Sequence, residues 1–180
     1  MSHSYHISDQ FAPHFMTFQV VDWVDIFSRK VYRDVIIESM KFCRNEKSLE
    51  IYAYVIMTNH IHVIWRAKNG NLSDIVRDFK KFTGRSIIEE IQKGTESRRD
   101  WLLKRFEFAA RRNVRNSLHQ FWTHENHAVE LFSPGFSEQK FDYIHMNPVR
   151  AGSVENPEAY IYSSARNYAG LWNLMEIDLI

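Results

Sequence analysis

The ten residues Met57-Thr58-Asn59-His60-Ile61-His62-Val63-Ile64-Trp65-Arg66 constrain this chain more than any other stretch, because they alternate as a strand must. Successive side chains on a strand leave opposite faces, so His60 and His62 share one side. Ile61, Val63 and Trp65 share the other, where a core needs hydrocarbon. Any domain built on this strand has one apolar face to cover and a second face that carries two imidazoles. Such a pair could bind a divalent cation if a third ligand arrives from elsewhere. The spacing says little by itself in a chain with 9 histidines among 180 residues, so the rest of the sequence has to decide.

The flanking segments supply the fold. Phe15 to Val21 reads as a first strand, rich in aromatic and β-branched residues. Ser28 can cap a helix running to about Asn45, with Val31, Val35, Ile36, Met40 and Cys43 facing the core. Ile51 to Met57 is a second strand, Thr58-Asn59 a tight turn, and His60 to Arg66 a third strand, so His60 sits at the mouth of a hairpin. Ser73 can cap a second long helix with Ile75, Phe79 and Phe82 inward. Residues 97 to 118 look like a further basic helical stretch. Phe121-Trp122 and Ala128 to Phe132 suggest a fourth strand or strand pair. After Ser133-Pro134-Gly135, Ser137 can start a short helix to Asn147, ended by Pro148. The order β-α-β-β-α, then β-α, implies an α+β protein: an antiparallel sheet with helices on one face and the histidine face left open. No repeat or linker divides the chain, which reads as a single domain over residues 1–180.

Composition narrows the class. No apolar run approaches the roughly 18 residues of a membrane span. The first residues show no basic start followed by an apolar stretch, and the lone Cys43, in an apolar helical pattern, reads as an inert core thiol. These features point to a cytoplasmic protein without a membrane partner. Formal net charge is only +1, yet residues 66 to 115 hold 14 Lys and Arg against 7 Asp and Glu. A basic middle on a nearly neutral chain can attract phosphate. Arg77, Lys80, Lys81 and Arg85 recur at three- and four-residue spacing and form the candidate nucleic-acid face.

A second cluster lies near the end. On a helical wheel of about 100° per residue, Phe141, Ile144 and His145 of the last helix share one side. Tyr143 and Asn147, four apart, stack on another. Asn147 could supply the third metal ligand through its carbonyl oxygen, which suits Mg²⁺ or Mn²⁺. Tyr143 then stands one turn from the ion. A phenol beside a cation can attack a phosphodiester and hold it as a phosphotyrosine, which keeps the bond energy for rejoining.

The runs Asn59-His60-Ile61-His62-Val63 and Tyr143-Ile144-His145-Met146-Asn147-Pro148-Val149-Arg150-Ala151-Gly152 resemble the signatures of single-tyrosine transposases, and in particular the REP-associated tyrosine transposases. Phe82-Thr83-Gly84-Arg85 and Tyr162 to Tyr168 fit the same pattern, so the likeness spans about Phe15 to Tyr168. The resemblance implies a ferredoxin-like or RRM-like sandwich. It further implies metal-dependent cleavage and rejoining of single-stranded DNA, often beside a hairpin, by a monomer or a homodimer. Residue by residue, it makes His60 and His62 the metal pair, Tyr143 the nucleophile that takes the 5′ phosphate, and Asn147 the third-ligand position, where insertion-sequence relatives more often carry Gln. Thr58 stands where the family usually has Pro, and Ser153 where it usually has Leu; neither is a catalytic position. Hairpin recognition falls to the basic face and to exposed aromatics, with Trp101, Trp122 and Trp172 as candidates.

Two other readings compete. One is a hairpin-binding protein derived from a transposase that no longer cleaves, which the intact His60, His62, Tyr143 and Asn147 argue against. The other is a histidine-dependent phosphoesterase or nucleotide hydrolase. The triple-histidine type needs a third His where Ile64 stands. The two-histidine phosphodiesterases need His-x-Thr or His-x-Ser twice, and neither His60 nor His62 begins one.

Overall fold

The computed structural model describes residues 6–112 and 118–179. Its centre is a four-stranded antiparallel sheet of β1 (His14–Gln19), β2 (Leu49–Ile56), β3 (His60–Ala67) and β4 (Val129–Glu130). The spatial order is β2-β3-β1-β4, so β3 lies between the two strands that precede it in the chain. The helices are α1 (Lys30–Glu46), α2 (Leu72–Lys93), α3 (Arg99–Arg111), α4 (Pro134–Arg150) and α5 (Ala165–Tyr168). This is the expected α+β, ferredoxin-like architecture. The fourth strand is far shorter than its sequence suggested: Val129 and Glu130 pair with β1, and Trp122 makes only an isolated bridge to Val20.

One face of the sheet is hydrocarbon. Met16, Phe18, Ile61, Val63 and Trp65 are fully buried there, packed with Ile36 and Met40 of α1 and Ile75 and Phe79 of α2. Period two in the strands and period near 3.6 in the helices bring these residues together. Cys43 is buried in the same core, and burial pushes its thiol up to about 11, as an inert thiol requires.

The second face differs from expectation, because it is not left open. Helix α4 lies across it, with Ile144 fully buried against Phe15, Val55, Ile64 and Leu131. The cause is the apolar side of α4 itself, which has to leave water, and a sheet with Phe15 and Ile64 exposed would waste the same gain. A register shift between Ile51 and Ala53 of β2 adds Tyr52 and Ala53 to this second cluster.

Helix ends were the least legible feature. Ser28 does not cap α1; its hydroxyl donates to Asp25 O at 2.8 Å, closing a short 3-10 turn, and Val31 is left exposed. Ser73 does not cap α2 either. Its backbone N–H instead donates to Gln10 Oε1 at 2.8 Å, so the cap arrives from the amino-terminal arm. Phe82, expected inward, is 61% exposed beside the equally outward Phe42. The basic helix expected over residues 97 to 118 is observed as α3, and residues 113–117 lie outside the described residues. Helix α4 begins at Pro134 rather than Ser137, capped by Ser133 Oγ, which accepts from Phe136 N. It also runs through Pro148 to Arg150. A proline in the last turn forfeits only one intrahelical hydrogen bond, and the real stop is Gly152, whose φ of +70° suits glycine.

The edge of β2 is covered by the carboxy-terminal segment. Ile56 N donates to Tyr162 O, Ser164 N to Tyr54 O, and Asp178 N to Ile51 O. Among the described residues, no helix is long and apolar enough to cross a membrane.

Candidate functional site

The β1–β3 register sets Thr17 opposite His62 and Gln19 opposite His60. Strand alternation therefore puts one threonine and two histidines on the face that α4 covers. His60 and His62 lie with ring centroids 4.6 Å apart. Each has its Nδ1 engaged: His60 Nδ1 lies 2.6 Å from Asn59 Oδ1, and His62 Nδ1 lies 2.8 Å from Thr17 Oγ1. A carboxamide oxygen can only accept, so His60 donates from Nδ1 and keeps the lone pair on Nε2.

His62 is only 5% exposed, and its Nε2 is buried without a hydrogen-bond partner among the described residues. A buried orphan of this kind costs on the order of 1–3 kcal/mol unless something binds it. Burial, then the neighbouring His60 and Lys140, push the His62 imidazole down to about 3. Burial also lowers His60. Both rings are accordingly neutral near neutral pH, which is the form that ligates metals.

Tyr143 reaches this pair from α4. Its ring stands edge-on to His62 at 5.1 Å and to Phe15 at 5.8 Å, and the side chain remains 38% exposed. Phe15 stacks on His62 at 5.5 Å and 24°, forming a wall that holds both rings. Two cations flank the phenol: Lys140 Nζ lies 5.8 Å and Arg150 Cζ 5.7 Å from its ring centroid. Lys140 is one turn before Tyr143 and Arg150 two turns after it, so a single helix presents phenol and cations together. Asn147 is half-buried one turn after Tyr143. Among the described residues no group of three or more His, Cys, Asp or Glu could hold a metal, so a third protein donor beside the imidazoles would have to be a neutral group such as Asn147. Two neutral imidazoles, His60 with its Nε2 lone pair free and His62 with an Nε2 that meets no partner among the described residues, fit a divalent cation.

The expected basic face divides. Lys80 is turned into the protein, donating from Nζ to Asn126 Oδ1 at 2.6 Å and Thr123 O at 2.7 Å, and burial pushes it down to about 8. It is a tie between α2 and the segment that follows α3, because its amine, 5.8 Å from the Phe18 ring centroid, is hydrogen-bonded to backbone and carboxamide oxygens of that segment. Arg77, Lys81 and Arg85 stay exposed, with Arg77 paired to Asp74 and Asp78 and Arg85 to Glu89. All four line a groove of about 990 Å³ between α2 and residues 118–126, apart from His60, His62 and Tyr143. Of the three tryptophans singled out from sequence, Trp122 is buried with Nε1 donating to Thr83 Oγ1, while Trp101 and Trp172 are exposed.

Sequence reasoning missed Thr17, Phe15, Lys140 and Trp23. The first two stand on β1 and enter the site only through its register with β3. Lys140 was legible as a residue three before Tyr143. Trp23 lies in the loop after β1, is 61% exposed, and stands edge-on to His60 at 6.2 Å.

Residues 14–106 match a family model described as transposase IS200 like. That span holds His60 and His62 and ends before α4. No curated protein matches the chain. One similar solved structure is described as the REP associates tyrosine transposase bound to a REP hairpin. The likeness covers 100% of this chain and 94% of that one, at 20% identity and a TM-score of 0.63. At that identity the likeness establishes a shared fold.

Proposed function

This chain belongs to the IS200-like transposase family, and from that premise we propose that it cleaves and rejoins single-stranded DNA at hairpin-forming sequences through a 5′-phosphotyrosine at Tyr143. The observation that carries the reading is the Tyr143 ring 5.1 Å from His62, whose buried Nε2 has no hydrogen-bond partner among the described residues. A structurally similar protein described as bound to a REP hairpin supports the choice of substrate.

The residues have separable tasks. Lys140 and Arg150 draw the scissile phosphate to the phenol and offset the negative charge that repels a nucleophile. Tyr143 gives up its phenolic proton to water and attacks phosphorus in line. The new phosphorus–oxygen bond forms as the bond to the 3′ oxygen breaks, and that oxygen leaves as a hydroxyl. Attack by a 3′ hydroxyl on the phosphotyrosine reverses the step and joins strands. His62 is a poor candidate for the base, since an imidazole pushed to about 3 hardly holds a proton. Its task is ligation: His60 and His62 through Nε2, with the Asn147 carbonyl, would hold Mg²⁺ or Mn²⁺. When bound, that ion supplies Lewis acidity at a non-bridging phosphate oxygen. Thr17 and Asn59 fix the two rings by their Nδ1 bonds, the outer-shell role that ligand histidines need.

The test is incubation with a DNA hairpin carrying single-stranded flanks, Mg²⁺ or Mn²⁺ present, scored for an adduct that survives denaturant. The wild type is expected to form it and Tyr143→Phe to form none. Equal cleavage by the two proteins rejects Tyr143 as nucleophile. Binding with no metal-dependent adduct in the wild type favours a hairpin-binding protein that does not cut.

A further inference from the structure

Just after β1 the backbone does something costly. Asp22 and Trp23 both adopt left-handed conformations, with φ of +53° and +54°. For a residue as bulky as tryptophan this region is unfavourable, and it persists only where the surroundings impose it. Here several contacts do so. Trp23 N donates to Val20 O at 3.2 Å, Asn59 Nδ2 donates to Trp23 O at 3.4 Å, and Arg105 pairs with Asp22 at 3.7 Å.

The strain gains little for folding, because the indole it positions is 61% exposed. What it does secure is location. The indole stands at 78° to the His60 ring with centroids 6.2 Å apart. A single carboxamide, that of Asn59, bonds both the Trp23 carbonyl and His60 Nδ1, so indole and imidazole share one support. Trp101 and Trp172 are exposed as well, but neither makes a ring contact with the histidine pair among the described residues. Trp101 is moreover faced by the Arg105 guanidinium at 5.3 Å.

We propose that Trp23 is the stacking face of a nucleobase-binding subsite beside His60, which holds one unpaired base next to the phosphodiester offered to Tyr143. The proposal rests on the reading of Tyr143 and the two histidines given above, and it adds where the strand is gripped. A rigid, water-exposed indole suits an unpaired base of any sequence, because every base has a π face. A paired base is already stacked within its helix, so the subsite selects single strand over duplex. Holding the base fixes the sugar beside it, and that fixes the attack angle at phosphorus, where small displacements cost large factors in rate.

The experiment reads binding rather than cleavage. A fluorescently labelled hairpin with a single-stranded extension is titrated into the full chain carrying Tyr143→Phe, without divalent cation. The titration is repeated with abasic sites at successive extension positions. Removing the base at one position is expected to weaken binding by about fivefold or more. Adding Trp23→Ala weakens the intact oligonucleotide by a similar factor and abolishes the penalty at that position. Trp23→Phe retains most of it, and a hairpin without extension binds all forms alike. Trp23→Gly, which suits the left-handed backbone, melts no lower than the parent and binds as weakly as Trp23→Ala, so loss of fold is separated from loss of stacking. An abasic penalty unchanged by Trp23→Ala at every position overturns the subsite. A protein that forms the Tyr143 adduct yet shows no Trp23-dependent penalty fails here with its cleavage chemistry intact. One that stacks bases without ever forming an adduct does the reverse.

Discussion

The two faces of the sheet are made from the same strands and obey opposite rules. On one, Met16, Phe18, Ile61, Val63 and Trp65 meet α1 and α2 through apolar side chains. On the other, Thr17, His60 and His62 sit inside an apolar rim of Phe15, Ile64 and Ile144, under a helix that carries a phenol and two cations. The first face is apolar nearly throughout, although it too leaves Trp65 Nε1 and the Tyr54 hydroxyl buried with no hydrogen-bond partner among the described residues. The second is dry enough to strip water from an imidazole, and among the described residues its unpartnered atom is a potential metal ligand, His62 Nε2. Alternation along β3 is what allows five consecutive residues to serve both ends, and it teaches that a site can be as buried as a core and still be unfinished.

The contrast can be broken from either side. Trp65→Ala, on the hydrocarbon face, should have the largest effect, a loss of about 3–5 kcal/mol in urea unfolding. Tyr143→Phe, on the other face, should leave stability within about 0.5 kcal/mol while abolishing the adduct. If both cost similar stability, the two faces are not functionally distinct. Thr17→Val is subtler. It removes the hydroxyl that fixes His62 Nδ1, and should weaken Mn²⁺ binding by calorimetry about tenfold, or 1.4 kcal/mol, with Thr17→Ser restoring it.

The smallest expected effect on metal affinity is one of pH. Burial holds His60 below its ordinary value and His62 down at about 3, so protons compete less for His60 Nε2 than for a free imidazole and for His62 Nε2 only in strong acid. Mn²⁺ affinity should therefore fall far less between pH 8 and 5 than the roughly thirtyfold per histidine of an unburied imidazole with pKa near 6.5. Stability carries the matching sign. The unfolded chain takes up the His62 proton as pH falls below about 6.5 and the native state does not, so the fold loses stability from there down to about 3. The variant His62→Phe should lack that contribution in an acid titration followed by circular dichroism.

Local period explains what could be read from the sequence. The hairpin of β2 and β3, the shared side of His60 and His62, and the separation of Tyr143 from Ile144 on α4 each depend on residues close in the chain. What escaped depends on distant partners. Thr17 and Phe15 join the site through strand register, and Gln10 caps α2 from 63 residues away. Phe82 and Val31 turn outward although helical spacing places them near the core, because α1 and α2 leave their adjoining rims apart. Lys80 looked like one cation of a surface stripe, and only the return of residues 118–126 along α2 gives its amine oxygens to bond. The second face looked vacant because α4 has no local signal for what it covers.

The tail laid along β2 has a bearing on how copies of this protein can meet. Its backbone takes the outward-facing groups of Ile51, Tyr54 and Ile56, and the Tyr168 hydroxyl takes the Tyr52 carbonyl. The opposite margin, β4, offers a ladder of just two residues. Among the described residues neither border leaves a long bare template on which a neighbour could continue the sheet, the usual hazard of bare strands. Self-association made by side chains is the arrangement these borders favour, and it would answer to surface substitution rather than to the hydrogen-bonded framework.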